Sequence, residues 1–401
     1  MKLYAQHGHA PSDKMFRAIG DGFIDGVILS PRYLIPDSTN RLIMDLKDRN
    51  NEIDIFIDPE FYATRYEGTP NAQLGYLEEW NHFRPRRQND LLVGTSIIDE
   101  CVRDAFRIQL EFGCTNLIAP NIFISNSFDS IEAAIAISFI NRTKTIANEM
   151  SVDKPVFATL SVSRDAIIDR NKYVNFLNAI TGLNSQPEGI YLLVGAGPTD
   201  ERISTSRSEI MNAIVISRWM LFNYSLSLNG LLVVNGFSDV LTPFLGAVGG
   251  YAGSTGWWSN LQVFSMGRYI RSVGGGQPPI LRYLSKKLFN RITISERHAF
   301  SEVISVIMNE LSTDSPYLGG EPSRTEEALQ TWQTISSLCI DLLSGNIGEN
   351  LQNLQNYVIE AETNYIALLE SGFSDRYEAN MEYLSALKES IIAFKELAEI
   401  S

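Results

Sequence analysis

Asp58 and Glu60 close the short apolar run Ile55-Phe56-Ile57, separated by Pro59. A carboxyl group that emerges from a buried strand is held away from water, so it can act as a general acid or base, as a nucleophile, or as countercharge to an oxocarbenium-like state. The plainer reading of Asp58 is a cap on the turn before Pro59. His7 and His9 flank Gly8 after another apolar run, where imidazoles can move protons, position a substrate or ligate a metal. Asp58, His7 and Glu60 are the candidate catalytic residues.

A second set of polar residues follows other apolar runs: Gln6, His9, Ser30, Arg32, Asn121, Arg164, Asn235 and Ser254. These are the candidate substrate-binding residues. A guanidinium clamps phosphate or carboxylate through two hydrogen bonds, so Arg32 and Arg164 together suggest an anionic substrate. Trp257 and Trp258 end the glycine-rich stretch 249–256; they can stack on a base or sugar, or close the fold against a neighbouring helix. Arg84, Arg86 and Arg87, with Arg65 upstream, form the densest basic cluster and are candidates for nucleic-acid backbone contacts.

The elements that must position these residues follow from hydrophobic patterning. Apolar, non-alternating runs occur at 2–6, 26–30, 54–58, 116–119, 155–160, 190–194, 231–235 and, least clearly, 250–254. Such runs indicate strands buried on both faces, as in parallel sheets covered by helices. Amphipathic stretches at 16–19, 41–49, 97–112, 130–149, 170–180, 206–227 and 240–248 lie between most of them. Eight β-then-α units predict a (β/α)8 TIM-like barrel over 1–278, in which residues after each strand converge on one mouth. A doubly wound sheet is the runner-up, but it would carry a glycine-rich phosphate turn after the first strand, and Gln6-His7-Gly8-His9 is not one. The stretch 59–95 is too long for an ordinary βα loop and reads as an insertion. Beyond 279 strand signals vanish. The stretches 302–311, 325–343, 347–369 and 375–399 read as a helical C-terminal domain over 279–401, joined through 274–279.

Composition narrows the partners. A net charge of −14 opposes nonspecific nucleic-acid coating, so any such contact needs a local basic groove. Cys101, Cys114 and Cys339 are scattered and odd in number, against a disulfide framework or a cysteine zinc site. No apolar run reaches the roughly 20 residues of a membrane span, and the N-terminus has no secretory pattern. These features predict a cytoplasmic protein without membrane contact, cofactor or bound metal, with the C-terminal helices as a route to homo-oligomers.

The barrel, Asp58 within Phe56-Ile57-Asp58-Pro59-Glu60-Phe61, and the glycine-rich stretch ending in Trp257-Trp258 resemble the tRNA-guanine transglycosylase superfamily in the wide sense, including barrel-type DNA glycosylases of phage defence. In that superfamily a strand-end aspartate in an Asp-Ser-Gly-Gly-Phe motif sits at the base site; here Asp58 and Phe61 match. The superfamily's cysteine and histidine zinc subdomain is absent, and Asn235 stands near the place of a second, nucleophilic aspartate. The resemblance implies cleavage or exchange of a base–sugar bond, with hydrolysis needing fewer matched residues. The expected activity is therefore a DNA glycosylase acting on a modified base, flipped into the mouth and held by Asp58, Asn121 and Asn235. Two alternatives stand beside it. His7-Gly8-His9 also resembles the metal-binding start of amidohydrolase-type barrels, which fits a small-molecule hydrolase or lyase; a non-enzymatic binding or assembly protein is the other.

Overall fold

The computed structural model describes residues 1–84, 86, 88–196, 210–271, 280–304, 306–373 and 381–400. Eight parallel strands form a barrel: β1 (Lys2–Gln6), β2 (Gly26–Leu29), β3 (Asp54–Ile57), β4 (Leu117–Ala119), β6 (Val156–Ser163), β7 (Gly189–Gly195), β8 (Leu232–Gly236) and β9 (Ala252–Thr255), while β5 (Phe123–Ile124) lies beside the end of β6. Each run expected from the sequence contributes a strand. The least clear one, β9, pairs with both β1 and β8. The barrel closes between β3 and β4 just outside the regular ladder, where the Thr115 and Asn116 amides donate to the Ile55 carbonyl at 3.1 and 3.3 Å. Long helices cover the outside, among them Pro36–Arg49, Thr95–Glu111, Ile131–Glu149, Arg170–Thr181 and Ala213–Leu228. Every residue of β6 is buried, as a strand enclosed on both faces requires.

An aromatic layer fills the barrel's lower interior. The rings of Tyr4 (β1) and Phe56 (β3) lie 5.4 Å apart, and Phe56 meets Phe157 (β6) at 5.4 Å. These strands are not neighbours, so the rings meet across the barrel. Gly26 makes this possible: a Cβ there would sit 2.7 Å from the Tyr4 ring. One layer higher, Gly236 leaves the space taken by the Tyr191 ring and hydroxyl, 2.9 Å from where its Cβ would be.

The region beyond the barrel corrects one expectation. It opens with an antiparallel hairpin, β10 (Arg282–Ser285) and β11 (Asn290–Thr293), where only helices were expected. Strands of four residues are too short to leave an alternation distinguishable from their flanks. The expected helix at 302–311 does not form among the described residues; the helix there is Ile294–Phe300. Asn309 explains the difference: its side chain binds the Lys286 amide and the Leu284 carbonyl, and its amide binds the Tyr283 hydroxyl, tying the segment to the hairpin. A short helix, Ser315–Leu318, and three long ones, Arg324–Leu342, Ile347–Glu370 and Glu382–Ala398, follow. The expected connection at 274–279 lies outside the described residues.

This region is bolted to the barrel. Glu382–Ala398 packs along Ala213–Leu228, with the Tyr224 and Phe394 rings 5.7 Å apart. Trp332 donates to the Thr255 carbonyl at the end of β9. Arg291 on β11 forms two 2.7 Å bonds to Asp239, just after β8, with both side chains under 10% exposed. Removing one partner of a buried ion pair typically costs about 3–5 kcal/mol. Arg291→Met is therefore expected to lower the urea unfolding free energy by about that amount; a loss below about 1 kcal/mol, the range of an exposed pair, would overturn the assignment.

Candidate active site

The site is built at the C-terminal ends of the strands, where a (β/α)8 barrel collects polar groups. Asp58 follows β3 and is 1% exposed. Its Oδ1 accepts the Glu60 amide at 2.9 Å, so one oxygen does cap the turn at Pro59. Its Oδ2 faces inward and accepts the hydroxyls of Tyr62 at 2.7 Å and Tyr191 of β7 at 3.1 Å. The capped turn places Glu60 in the left-handed region, with φ of 48°, a conformation that costs a non-glycine residue on the order of 1 kcal/mol or more. Glu60, 3% exposed, then accepts the hydroxyls of Ser30 and Tyr269.

Burial, reinforced by the neighbouring Glu60 charge, pushes the Asp58 carboxyl up to about 7, against the opposing pull of its hydrogen bonds. Burial, together with the nearby carboxylates, also raises the Tyr62, Tyr191 and Tyr269 hydroxyls well above their ordinary value, so they remain donors. The result is a carboxyl poised to hold or release a proton near neutrality, wired to two hydroxyls and beside a second carboxylate.

Residues 256–271 cover this cluster. On one side they join the end of β7, through a bridge between Phe264 and Gly195. On the other they join the insertion after β3, where the Gln73 amide binds the Tyr269 carbonyl and the Arg271 amide binds the Asn71 carbonyl, both at 2.8 Å. Phe264 plugs the centre, 5.3 Å from Tyr62, 5.5 Å from Phe237 and 6.0 Å from Phe123. Arg268, from the same segment, lies 5.7 Å from the Tyr269 ring, and Arg32 lies 5.0 Å from it.

The other sequence candidates divide. Arg32, Ser30 and Glu60 join Asp58. His7 is buried beside Tyr33 and Trp257, with neither ring nitrogen partnered among the described residues; burial drives its pKa down to about 3, so it is neutral. His9 is exposed, and its carbonyl accepts both indole N–H groups of Trp257 and Trp258. Trp257 also meets Trp332 at 6.2 Å, so this pair closes the barrel against its helical neighbour.

The Asn121 amide group is spent on the backbone of Ala136, Thr159 and Ile122. That of Asn235 is spent on Trp219, Asn223 and Ala252. Ser254 links Gln6 to the Phe237 amide inside the barrel. Arg164 lies a third exposed beside Asp165. Of the basic cluster, Arg84 is exposed, Arg86 pairs with Glu100, Arg65 binds Ser125, and Arg87 lies outside the described residues. Among the described residues no three His, Cys, Asp or Glu side chains form a group able to hold a metal, and no helix is long and apolar enough to cross a membrane.

Sequence reasoning missed Tyr62, Tyr191, Tyr269 and Arg268 as site residues. Tyr191 left a signal: a hydroxyl inside the apolar run 190–194 needs a buried partner. Arg268 and Tyr269 left none, because their place depends on how 256–271 folds back.

No protein-family model and no curated protein matches the chain. Among solved structures it is similar to dihydrodipicolinate synthases from Oceanobacillus iheyensis (TM-score 0.32, 9% identity, 98% of this chain and 96% of that one) and Bacillus clausii (0.32, 10%, 98% and 97%). It is also similar to a mandelate racemase-like protein from Bordetella bronchiseptica RB50 solved with 2-oxoglutarate/phosphate (0.31, 12%, 64% of this chain), of which the chain spans about half, 51%. Likeness this distant carries no chemistry, and it does not link the chain to the transglycosylase superfamily.

The shifts set a pH signature. A carboxyl raised from 3.8 to about 7 favours the fold when protonated, so its contribution is complete below about pH 4 and lost as pH rises through about 7. His7, lowered from 6.5 to about 3, acts oppositely, contributing above 6.5 and losing that contribution as pH falls towards 3. Comparison with Asp58→Asn isolates the contribution of the Asp58 carboxyl. The stability of the wild type relative to the variant should fall by on the order of 4 kcal/mol between about pH 4 and 7 in urea titrations; a pH-independent difference would show that Asp58 does not titrate there.

Proposed function

We propose that the chain is an enzyme that performs acid–base chemistry on a small molecule at the barrel mouth, as a hydrolase or lyase, with Asp58 as the proton-transferring group. The observation that carries this is the buried Asp58 carboxyl, poised near neutrality and held by Tyr62 and Tyr191 beside Glu60. Such an arrangement suits a general acid or base, and a structural cap would need only the Oδ1 bond. Glu60, Ser30 and Tyr269 complete a polar wall around a reacting group.

Cleavage of a base–sugar bond in DNA fits this geometry less well. Asn121 and Asn235, expected to hold the base, have their amides engaged by the protein, and Arg86 is already paired.

The test is turnover by purified wild type and Asp58→Asn on panels of small esters, lactones, hydroxy acids and oxo acids, with normal and base-modified DNA in parallel. Turnover is expected from the small-molecule panel, reduced about 100- to 10,000-fold in the variant. Base release from DNA, or small-molecule turnover indifferent to the substitution, would overturn the proposal.

A further inference from the structure

Arg32 and Arg268 are each 5% exposed, yet neither is paired with a carboxylate among the described residues. Nη1 of Arg32 and both Nε and Nη1 of Arg268 are buried without a hydrogen-bond partner among the described residues. Arg291 shows how a structural arginine is buried in this same chain: at 8% exposure, it carries two charge-assisted bonds to Asp239. The carboxylate in the neighbourhood of Arg268, Glu60, is spent on the hydroxyls of Ser30 and Tyr269.

What the two guanidiniums do have is aromatic faces. Arg32 lies 5.3 Å from the Tyr33 ring and 5.0 Å from Tyr269; Arg268 lies 4.7 Å from Phe237 and 5.7 Å from Tyr269. Such contacts return less than it costs to take an ion out of water. The rings hold the guanidiniums in place and leave these three nitrogens without a partner among the described residues.

We propose that Arg268 and Arg32 form an oxyanion subsite that receives the carboxylate of the small-molecule substrate, beside Asp58 and Glu60. This rests on the reading of the mouth as a small-molecule active site and adds the substrate's chemical class. Three buried nitrogens are open among the described residues, Nη1 of Arg32 and Nε and Nη1 of Arg268, a donor set that the two oxygens of a carboxylate can satisfy. Arg268 enters the site on the 256–271 cover, so the group that binds the anion also closes the mouth over it.

Calorimetric titration with glycolate, pyruvate and lactate, and separately with inorganic phosphate and sulfate, tests this at constant ionic strength. Saturable binding of at least one monocarboxylate is expected, weakened about 10- to 100-fold by Arg268→Met or Arg32→Met, since a hydrogen bond to a charged group is worth about 1.5–3 kcal/mol. Arg268→Met strands no carboxylate, so its urea midpoint should match or exceed that of the wild type. That readout separates a ligand-binding arginine from a structural one. The subsite is overturned if no monocarboxylate binds, if both variants bind as well as the wild type, or if Arg268→Met is destabilised like Arg291→Met. Binding of phosphate or sulfate alone overturns the carboxylate assignment. Asp58→Asn should still bind the carboxylate. Binding with turnover indifferent to Asp58 would sink the catalytic reading and leave the subsite standing; Asp58-dependent turnover of a neutral substrate without carboxylate binding would do the reverse.

Discussion

A carboxyl group with almost no exposure to water is the constraint around which this barrel is organised. Burying Asp58 costs several kcal/mol unless its oxygens are bonded, and three donors meet that demand: the Glu60 amide and the hydroxyls of Tyr62 and Tyr191. They come from a strained turn, from the insertion after β3, and from β7 across the barrel. Gly236 has no side chain where Tyr191 must stand. Each of these choices of sequence makes sense only with the carboxyl inside.

The barrel interior is therefore divided by height. Below, Tyr4, Phe56 and Phe157 form an aromatic floor of the ordinary packed kind. Above, hydroxyls, carboxylates and guanidiniums replace aliphatic side chains, and the 256–271 segment closes over them. Because this cover is pinned at Gly195 and at 71–73, the position of Arg268 and Tyr269 is linked to both walls of the mouth. The C-terminal region reinforces the same side: Trp332 holds the end of β9, and Arg291 holds Asp239 in the turn that follows Phe237, the ring against which Arg268 rests.

The two kinds of buried arginine show how one side chain serves two purposes. Arg291 has a carboxylate and joins two parts of the molecule. Arg268 and Arg32 have rings instead, which orient a cation without neutralising it. A protein that keeps such charges unneutralised in its interior bears a cost that packing does not explain, and functional sites are where such costs are found.

The sequence by itself determined the eight strands, because a strand buried on both faces must be written as an apolar run. It also placed Asp58, Glu60, Ser30 and Arg32 at the mouth, since a residue's position just after a strand fixes which end of the barrel it occupies. It did not separate Asn121 and Asn235, whose amides serve the protein's own backbone and side chains, from residues left available to a ligand; strand-end position is the same for both. Nor could it find the hairpin 282–293, or Arg268 and Tyr269. Those depend on contacts between segments far apart in the chain. Only the tertiary structure decided that the cover folds back on Glu60, because the partner that draws it there lies more than 200 residues away.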